Sequence, residues 1–255
     1  MGAELVKAVC SHPGATLAAA IARSGSSVLG QDAGSLSGGR AAGVAITADL
    51  PAVLPSIDVV IDFSRAEVVA DTAEACARAG VPLLIGTTGL SADTQQRIDA
   101  ASRKIPVLVA ANTSLALNVL LELVRRAAQA LPETYDIEIF EAHHRHKVDA
   151  PSGTALALGD AAAAGRGEHL SRPVDLTGAR SGARGKGGIG FSVAPGSFKE
   201  KEHDVRFLGS GEQLRLSHTA TDRAIFSRGA LAAALWLSNR PANRYQMADF
   251  LFPKQ

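Results

Sequence analysis

Short, unbroken apolar runs alternate with stretches of helical length through the first half of the chain. Residues 15–23 (ATLAAAIAR), 59–63 (VVIDF), 81–85 (VPLLI) and 105–110 (IPVLVA) each read as a buried strand. Residues 2–10 read as a helix ahead of them, and 66–79 and 91–102 as helices between them. The last of these opens on Ser91, a good N-cap. Strands that are apolar throughout, rather than at every second position, belong to a parallel sheet covered on both faces. Alternating with helices, they predict an α/β fold with a Rossmann-like, doubly wound parallel sheet.

After residue 113 the pattern changes. Residues 115–131 (LALNVLLELVRRAAQAL) place Leu117, Leu120, Leu121 and Val124 on one stripe, which predicts an amphipathic helix. Residues 136–142 (DIEIFEA), 205–208 and 213–218 (QLRLSH) alternate instead, as strands with one covered face do. They predict a second, α+β domain with an open mixed sheet and helices on one side. Residues 165–190 are rich in Gly, Arg and Ser, lack periodicity, and read as a mobile surface excursion. A helix over 228–237 (RGALAAALWL) is apolar enough to return to the first domain. The expected division is 1–113 with 224–255, and 114–223.

Bulk properties narrow the function class. A chain of 255 residues, 46% hydrophobic and 20% charged, is ordinary for a globular enzyme. A net charge of +1 gives no support for a nucleic-acid partner. No apolar run reaches the ~18 residues of a membrane span, and Glu4 stands where a signal peptide would be basic. Cys10 and Cys76 are too few for a disulfide scaffold and read as buried small hydrophobes in a reducing cytosol. The expectation is a cytoplasmic enzyme or binding protein.

Ligands of open parallel sheets bind beyond the carboxyl ends of the strands. The four strand ends run into Arg23-Ser24-Gly25-Ser26-Ser27, Asp62-Phe63-Ser64, Gly86-Thr87-Thr88-Gly89 and Ala110-Ala111-Asn112-Thr113. Such small and hydroxylated residues admit a flat ligand closely, although αβ turns favour the same types. Four converging on one edge favour a nucleotide site. Arg23 stands where an arginine would take a 2′-phosphate, and its neighbour is Ala22 rather than an acid, which favours NADPH. A solvated surface arginine is the plainer reading of the same residue. The glycine-rich phosphate loop expected before the first helix is missing. A start lying upstream is the favoured explanation, a fold that has lost its phosphate cradle the other.

His143, His144, Arg145, His146 and Lys147 crowd directly behind a strand. Clustered histidines can hold a metal, yet no carboxylate or cysteine completes a ligand set, and Arg145 and Lys147 add positive charge. A site for an anionic substrate fits better, because histidine also suits proton traffic near neutral pH. Asp149-Ala150-Pro151-Ser152-Gly153-Thr154 then leads into a helix over 155–164. Its first turn offers unpaired backbone N–H groups to a carboxylate. Ordinary capping would explain Ser152 but not the adjacent basic cluster.

Residues 137–157 (IEIFEAHHRHKVDAPSGTALA) resemble the signature of the dihydrodipicolinate reductase family, which serves the diaminopimelate route to lysine. GSSVLGQDAG (25–34), VVIDFS (59–64), IGTTG (85–89), AANTSLALNV (110–119) and GALAAALWL (229–237) follow in that family's order and spacing, so the resemblance covers nearly the whole chain. It implies a nicotinamide-binding domain and a substrate-binding domain whose mixed sheet builds a homotetramer. It further implies hydride transfer from NADPH or NADH to a dicarboxylated ring, 4-hydroxy-tetrahydrodipicolinate, giving tetrahydrodipicolinate. By resemblance His143 is a proton donor and acceptor, Lys147 a proton donor, and His144, Gly153 and Thr154 substrate contacts. Arg23, Gly86, Thr87, Thr88, Ala110, Ala111, Asn112 and Thr113 match cofactor contacts, and no residue is assigned to a metal.

The chain departs from the family in places. The first strand and its glycine loop are absent, Met1-Gly2 aligning with the loop's last two residues. Ala22 replaces the usual acid, and Thr113 replaces a larger apolar residue, which implies looser nicotinamide packing. A stretch the family places before a Glu-His pair is changed here to residues 194–199, ending at Glu202-His203, with an interface or lid role left open. The competing reading is a catalytically impaired or regulatory relative that binds a dicarboxylate but not the dinucleotide.

Overall fold

The computed structural model describes residues 1–144, 151–170, 188–196 and 201–253. The chain forms two compact units, Met1–Leu115 with Ala224–Gln255, and Ala116–Arg223. The first contains α1 (Gly2–Cys10), β1 (Ala20–Ile21), α2 (Ala33–Leu36), β2 (Ile46–Thr47), α3 (Leu50–Val53), β3 (Val60–Asp62), α4 (Ala66–Ala79), β4 (Leu83–Ile85), α5 (Ala92–Ser102) and β5 (Pro106–Val109). The second contains α6 (Leu115–Ala130), β6 (Asp136–His144), α7 (Gly153–Gly165), β7 (Ile189–Gly196), β8 (Lys201–Leu208) and β9 (Gln213–Ala220). Then α8 (Ala224–Leu237), β10 (Asn243–Tyr245) and α9 (Met247–Leu251) return to the first.

In the first unit, β10, β5, β4 and β3 lie side by side in that order, all parallel. Leu83, Ile85 and Val107 pack with Val69, Ala73 and Cys76 of α4 and with Ile98 and Ala101 of α5. Leu84 and Leu108 belong to a second cluster with Ala230, Ala233, Ala234 and Leu237 of α8. Both faces are therefore covered, which is why these strands tolerate no polar alternation. Each buried Leu or Ile contributes about 1.5–3 kcal/mol. The small residues of α8 let it lie very close: a Cβ on Gly229 would stand 1.8 Å from the carbonyl oxygen of Thr113. As the sequence predicts, Ser91 caps α5, its hydroxyl accepting the Thr94 N–H at 3.1 Å.

Two expectations fail in this unit. Residues 15–23 are not a buried strand: only Ala20 and Ile21 pair, with β2, in a separate two-stranded sheet. Ile21 is 46% exposed and none of its neighbours in the run is buried. The run is alanine-rich, so it is apolar by type but offers little surface to bury. Only three of the four strand ends thus share one sheet. Cys10 is exposed at the end of α1, a helix with no buried residue, whereas Cys76 is buried as expected. Burial, with the negative Asp62 adding to it, pushes the Cys76 thiol up to about 12. In the loop after β1, Asp32 caps α2 and accepts N–H groups from Ser35, Ala42 and Val44. The Ser35 amide, then the Ala42 amide, hold its carboxyl down at about 2.

The second unit is a mixed sheet ordered β7-β6-β8-β9, with β6 parallel to β7 and antiparallel to β8. One face carries Ile137, Ile139, Val205 and Phe207, packed under Leu117, Leu120 and Val124 of α6 and Ala155 and Leu158 of α7. The predicted stripe of α6 is thus the buried one. On the other face Asp204, fully buried, accepts Arg206 Nε at 2.8 Å and Arg215 Nε at 2.9 Å. Edge strand β9 is largely exposed despite its alternation. Most of the excursion predicted over 165–190 (171–187) lies outside the described residues. Among the described residues no helix is long and apolar enough to cross a membrane.

Candidate active site

The carboxyl ends of β3, β4 and β5 are level, because Asp62, Ile85 and Val109 are successive register partners. Main-chain bonds continue that line past the strands, from Gly86 N to Asp62 O (2.8 Å) and from Ala110 N to Ile85 O (2.9 Å). This brings together Gly86-Thr87-Thr88, the Asp62-Phe63-Ser64 turn and the 110–113 segment. Gly86 has a steric reason to be glycine: a Cβ there would stand 2.3 Å from the Phe63 ring. The half-buried ring therefore packs against bare backbone. Thr87 is buried and its hydroxyl donates to Ser64 O at 3.1 Å, tying two of the loops together, while Thr88 is exposed.

The remaining predicted cofactor residues divide. Ala111 is exposed and Asn112 half-buried, Asn112 Oδ1 accepting the Ser114 N–H at 2.9 Å. Ala110 is buried in the cluster with α8, and the buried Thr113 donates its hydroxyl to Phe226 O at 2.7 Å. The Thr113 side chain thus anchors α8. Arg23 is exposed behind β1, whose sheet is not the one carrying the other three ends. Asp62, one of the predicted strand-end residues, has no role assigned from sequence. It is buried, takes the Ser64 N–H on Oδ1 at 2.7 Å, and leaves Oδ2 with no hydrogen-bond partner among the described residues.

In the second unit, His143 and His144 end β6 opposite Pro195 and Gly196 of β7. Lys147 lies outside the described residues. Gly153 and Thr154 open α7 behind Ser152, which adopts the extended backbone of an N-cap (φ −66°, ψ 157°). Its hydroxyl accepts the Ala155 N–H at 3.1 Å. The N–H groups of Gly153 and Thr154 have no acceptor among the described residues. A Cβ on Gly153 would meet nothing within 4 Å, so the space above this turn is open. Two main-chain donors presented at a helix start suit one carboxylate group.

Beneath that turn lie two ionisable side chains, one inside the predicted substrate segment, to which the sequence assigns no catalytic or binding role. Glu141 accepts the Ser152 N–H at 2.9 Å, and Ser152 Oγ lies 3.2 Å from His203 Nε2. Glu141 and His203 are cross-strand neighbours, with Nε2 3.7 Å from Glu141 Oε2. Exposure is 1% for Glu141, 4% for His203 and 6% for Ser152. Beyond His203, on β9, stands half-buried His218. Burial, then the neighbouring His203, push its pKa below the ordinary histidine value.

Comparison with known proteins covers both units. Family models described as the N-terminus and the C-terminus of dihydrodipicolinate reductase match residues 1–113 and 116–251. A 4-hydroxy-tetrahydrodipicolinate reductase of Anaeromyxobacter dehalogenans (strain 2CP-C) is 45% identical over 256 residues, covering 98% of this chain and 93% of the relative. One from Sinorhizobium medicae (strain WSM419) is 46% identical over 253 residues, with the same coverage of 98% and 93%. Among solved structures, a dipicolinate-bound dihydrodipicolinate reductase from Paenisporosarcina sp. TG-14 superposes with a TM-score of 0.78 at 24% identity, covering 98% of this chain and 94% of its own. An amine dehydrogenase from Mycobacterium smegmatis gives 0.67 at 15% identity, covering 96% and 92%. The two structural likenesses bear on the fold.

Proposed function

This chain belongs to the dihydrodipicolinate reductase family, and we propose that its first unit holds the dinucleotide and its second the dicarboxylate of that family's reaction. It is an NAD(P)H-dependent oxidoreductase that reduces 4-hydroxy-tetrahydrodipicolinate to tetrahydrodipicolinate on the route to diaminopimelate and lysine. When bound, the reduced nicotinamide supplies the hydride.

The residues at the edge of β3, β4 and β5 fit such a ligand. Phe63 against Gly86 makes an apolar wall, and Asp62 Oδ2, without a partner among the described residues, is a buried acceptor on the preceding residue. Gly86, Thr87, Thr88, Ala110, Ala111 and Asn112 line the dinucleotide largely through their main chain, and Thr113 holds its segment onto α8. Arg23 takes the 2′-phosphate, and with Ala22 in place of an acid NADPH is preferred over NADH. Lys147 delivers the proton that accompanies the hydride, and His143 donates and accepts protons beside it. His144 and the N–H groups of Gly153 and Thr154 hold the substrate's carboxylates. The sheet face of the second unit opposite α6 and α7, with Phe140 and the Asp204–Arg206–Arg215 cluster, is the surface through which four copies assemble. The reaction runs in the cytoplasm, a reducing compartment in keeping with the two free cysteines.

The observation that carries this reading is the first turn of α7, where a capped helix presents two N–H groups that have no acceptor among the described residues, behind the histidine-bearing strand. Lys147→Ala tests it. NADPH oxidation with the cyclic substrate should fall by about 10²–10⁴-fold, while pyridine-2,6-dicarboxylate still binds in a calorimeter. Turnover retained in that variant would overturn the assignment.

A further inference from the structure

Resting on that reading, we infer that His203 is a positioning residue for the reaction: through Ser152 and Glu141 it aims the first-turn N–H groups of α7 at the substrate carboxylate. Every polar group of Ser152 is engaged. Its N–H donates to Glu141 on β6 (2.9 Å) and its carbonyl accepts the Leu156 N–H within α7 (3.0 Å). Its hydroxyl takes the Ala155 N–H (3.1 Å) and meets His203 on β8 (3.2 Å). The helix start is thereby fastened to two neighbouring strands at one rung, since Glu141 and His203 are register partners.

Stability alone does not account for this arrangement. Along the same sheet face the neighbouring positions are Ile137, Ile139, Val205 and Phe207, all buried and apolar. Replacing buried ionisable groups by well-packed apolar residues is commonly neutral or stabilising, by up to about 4 kcal/mol. A serine cap needs no buried partner, because one hydroxyl satisfies the helix N–H in water equally well. What the pair adds is direction. Glu141 consumes the Ser152 N–H and the serine hydroxyl consumes that of Ala155. Only the two donors between them, on Gly153 and Thr154, are left facing outward. Without His203 the serine hydroxyl is free to rotate, and the turn loses its fixed orientation toward a carboxylate.

The experiment compares His203→Leu, which removes the contact, with His203→Gln, whose amide restores a hydrogen-bonding group near the Nε2 position. Binding of pyridine-2,6-dicarboxylate and of NADPH is measured by calorimetry on the full-length protein, alongside steady-state kinetics. Loss of one hydrogen bond should weaken dicarboxylate binding and raise KM for the cyclic substrate about tenfold in His203→Leu. NADPH affinity and kcat should stay within about threefold, and His203→Gln should recover most of the loss. Equal dicarboxylate affinity in His203→Leu and wild type, or parallel loss of NADPH affinity, overturns the inference while leaving the proposed function standing. Failure of wild type to bind the dicarboxylate overturns both. Should His203→Leu fail to fold, Ser152→Gly removes the same hydroxyl at a helix-capping cost of a few tenths of a kcal/mol. The same selective weakening is then expected, and its absence is equally decisive.

Discussion

At the sheet edge of the first unit the groups proposed to meet a ligand are main-chain amides, a glycine and the Phe63 ring. At the start of α7 in the second unit they are two N–H groups aimed by a buried glutamate and a buried histidine. The first surface recognises by shape, since a dinucleotide offers a flat ring and long backbone contacts. The second recognises by charge and donor direction, since its ligand is small and dianionic. A shape-built edge should be damaged by one added carbon and be indifferent to pH. A charge-built one should respond the other way round.

The largest effect that separates them is expected from Gly86→Ala. A Cβ there stands 2.3 Å from Phe63, so the ring must leave its place. Overpacking of this kind costs about 1–3 kcal/mol, or roughly 5–150-fold in nucleotide affinity. Dicarboxylate affinity should be unchanged in the same calorimetric titrations. In a Phe63→Ala background the added methyl has room and should have little further effect. Wild-type NADPH binding by Gly86→Ala would mean that the ring does not form the ligand wall.

Ala22→Glu gives a smaller effect and probes the one place on the first unit where charge should decide. Ala22 is half-buried and its N–H is fixed to Thr47 O at 2.9 Å, with Arg23 exposed beside it. A carboxylate there should repel a 2′-phosphate and accept a ribose hydroxyl instead. The ratio of kcat/KM for NADPH and NADH should shift toward NADH by about tenfold, equivalent to ~1.4 kcal/mol. An unchanged ratio would separate Arg23 from the cofactor.

Much of this is legible in the sequence, and the exceptions share a cause. Strands β3, β4 and β5 announce themselves because Val, Leu and Ile fill both faces, and α6 because Leu117, Leu120 and Val124 repeat at helical spacing. Residues 15–23 misled because alanine counts as apolar yet buries little, so an edge-like segment imitates a core strand. The Thr113 hydroxyl bond was not legible because its acceptor, Phe226 O, lies 113 residues away. His203 carried only a weak signal, the Glu202-His203 pair. Its partnership with Ser152 spans 51 residues and exists only because β6 and β8 pair in one register. Local pattern reveals what a residue is made to bury; it does not reveal which distant strand will be beside it.

The smallest expected effect is on stability, and it tests the pH half of the comparison. Burial, with His203 adjacent, keeps the folded pKa of His218 below its unfolded value near 6.5. Below that unfolded value the unfolded chain takes up a proton that the folded chain resists. This contribution to stability is therefore full above about pH 6.5 and is lost as pH falls through the depressed folded value. The carboxylates of Asp32 and Glu122, held at about 2, follow the same sign but act only in far more acid solution. Between pH 7.5 and 5.5 His218 therefore supplies the change. Thermal melts across that window should show a declining Tm in wild type and a flatter profile in His218→Gln. Hydrogen exchange should confine the pH-sensitive opening to β8 and β9, leaving β3, β4 and β5 unaffected. An identical decline in His218→Gln would remove His218 as its source, and acid-induced opening of the first unit's sheet in the same window would break the contrast between the two surfaces.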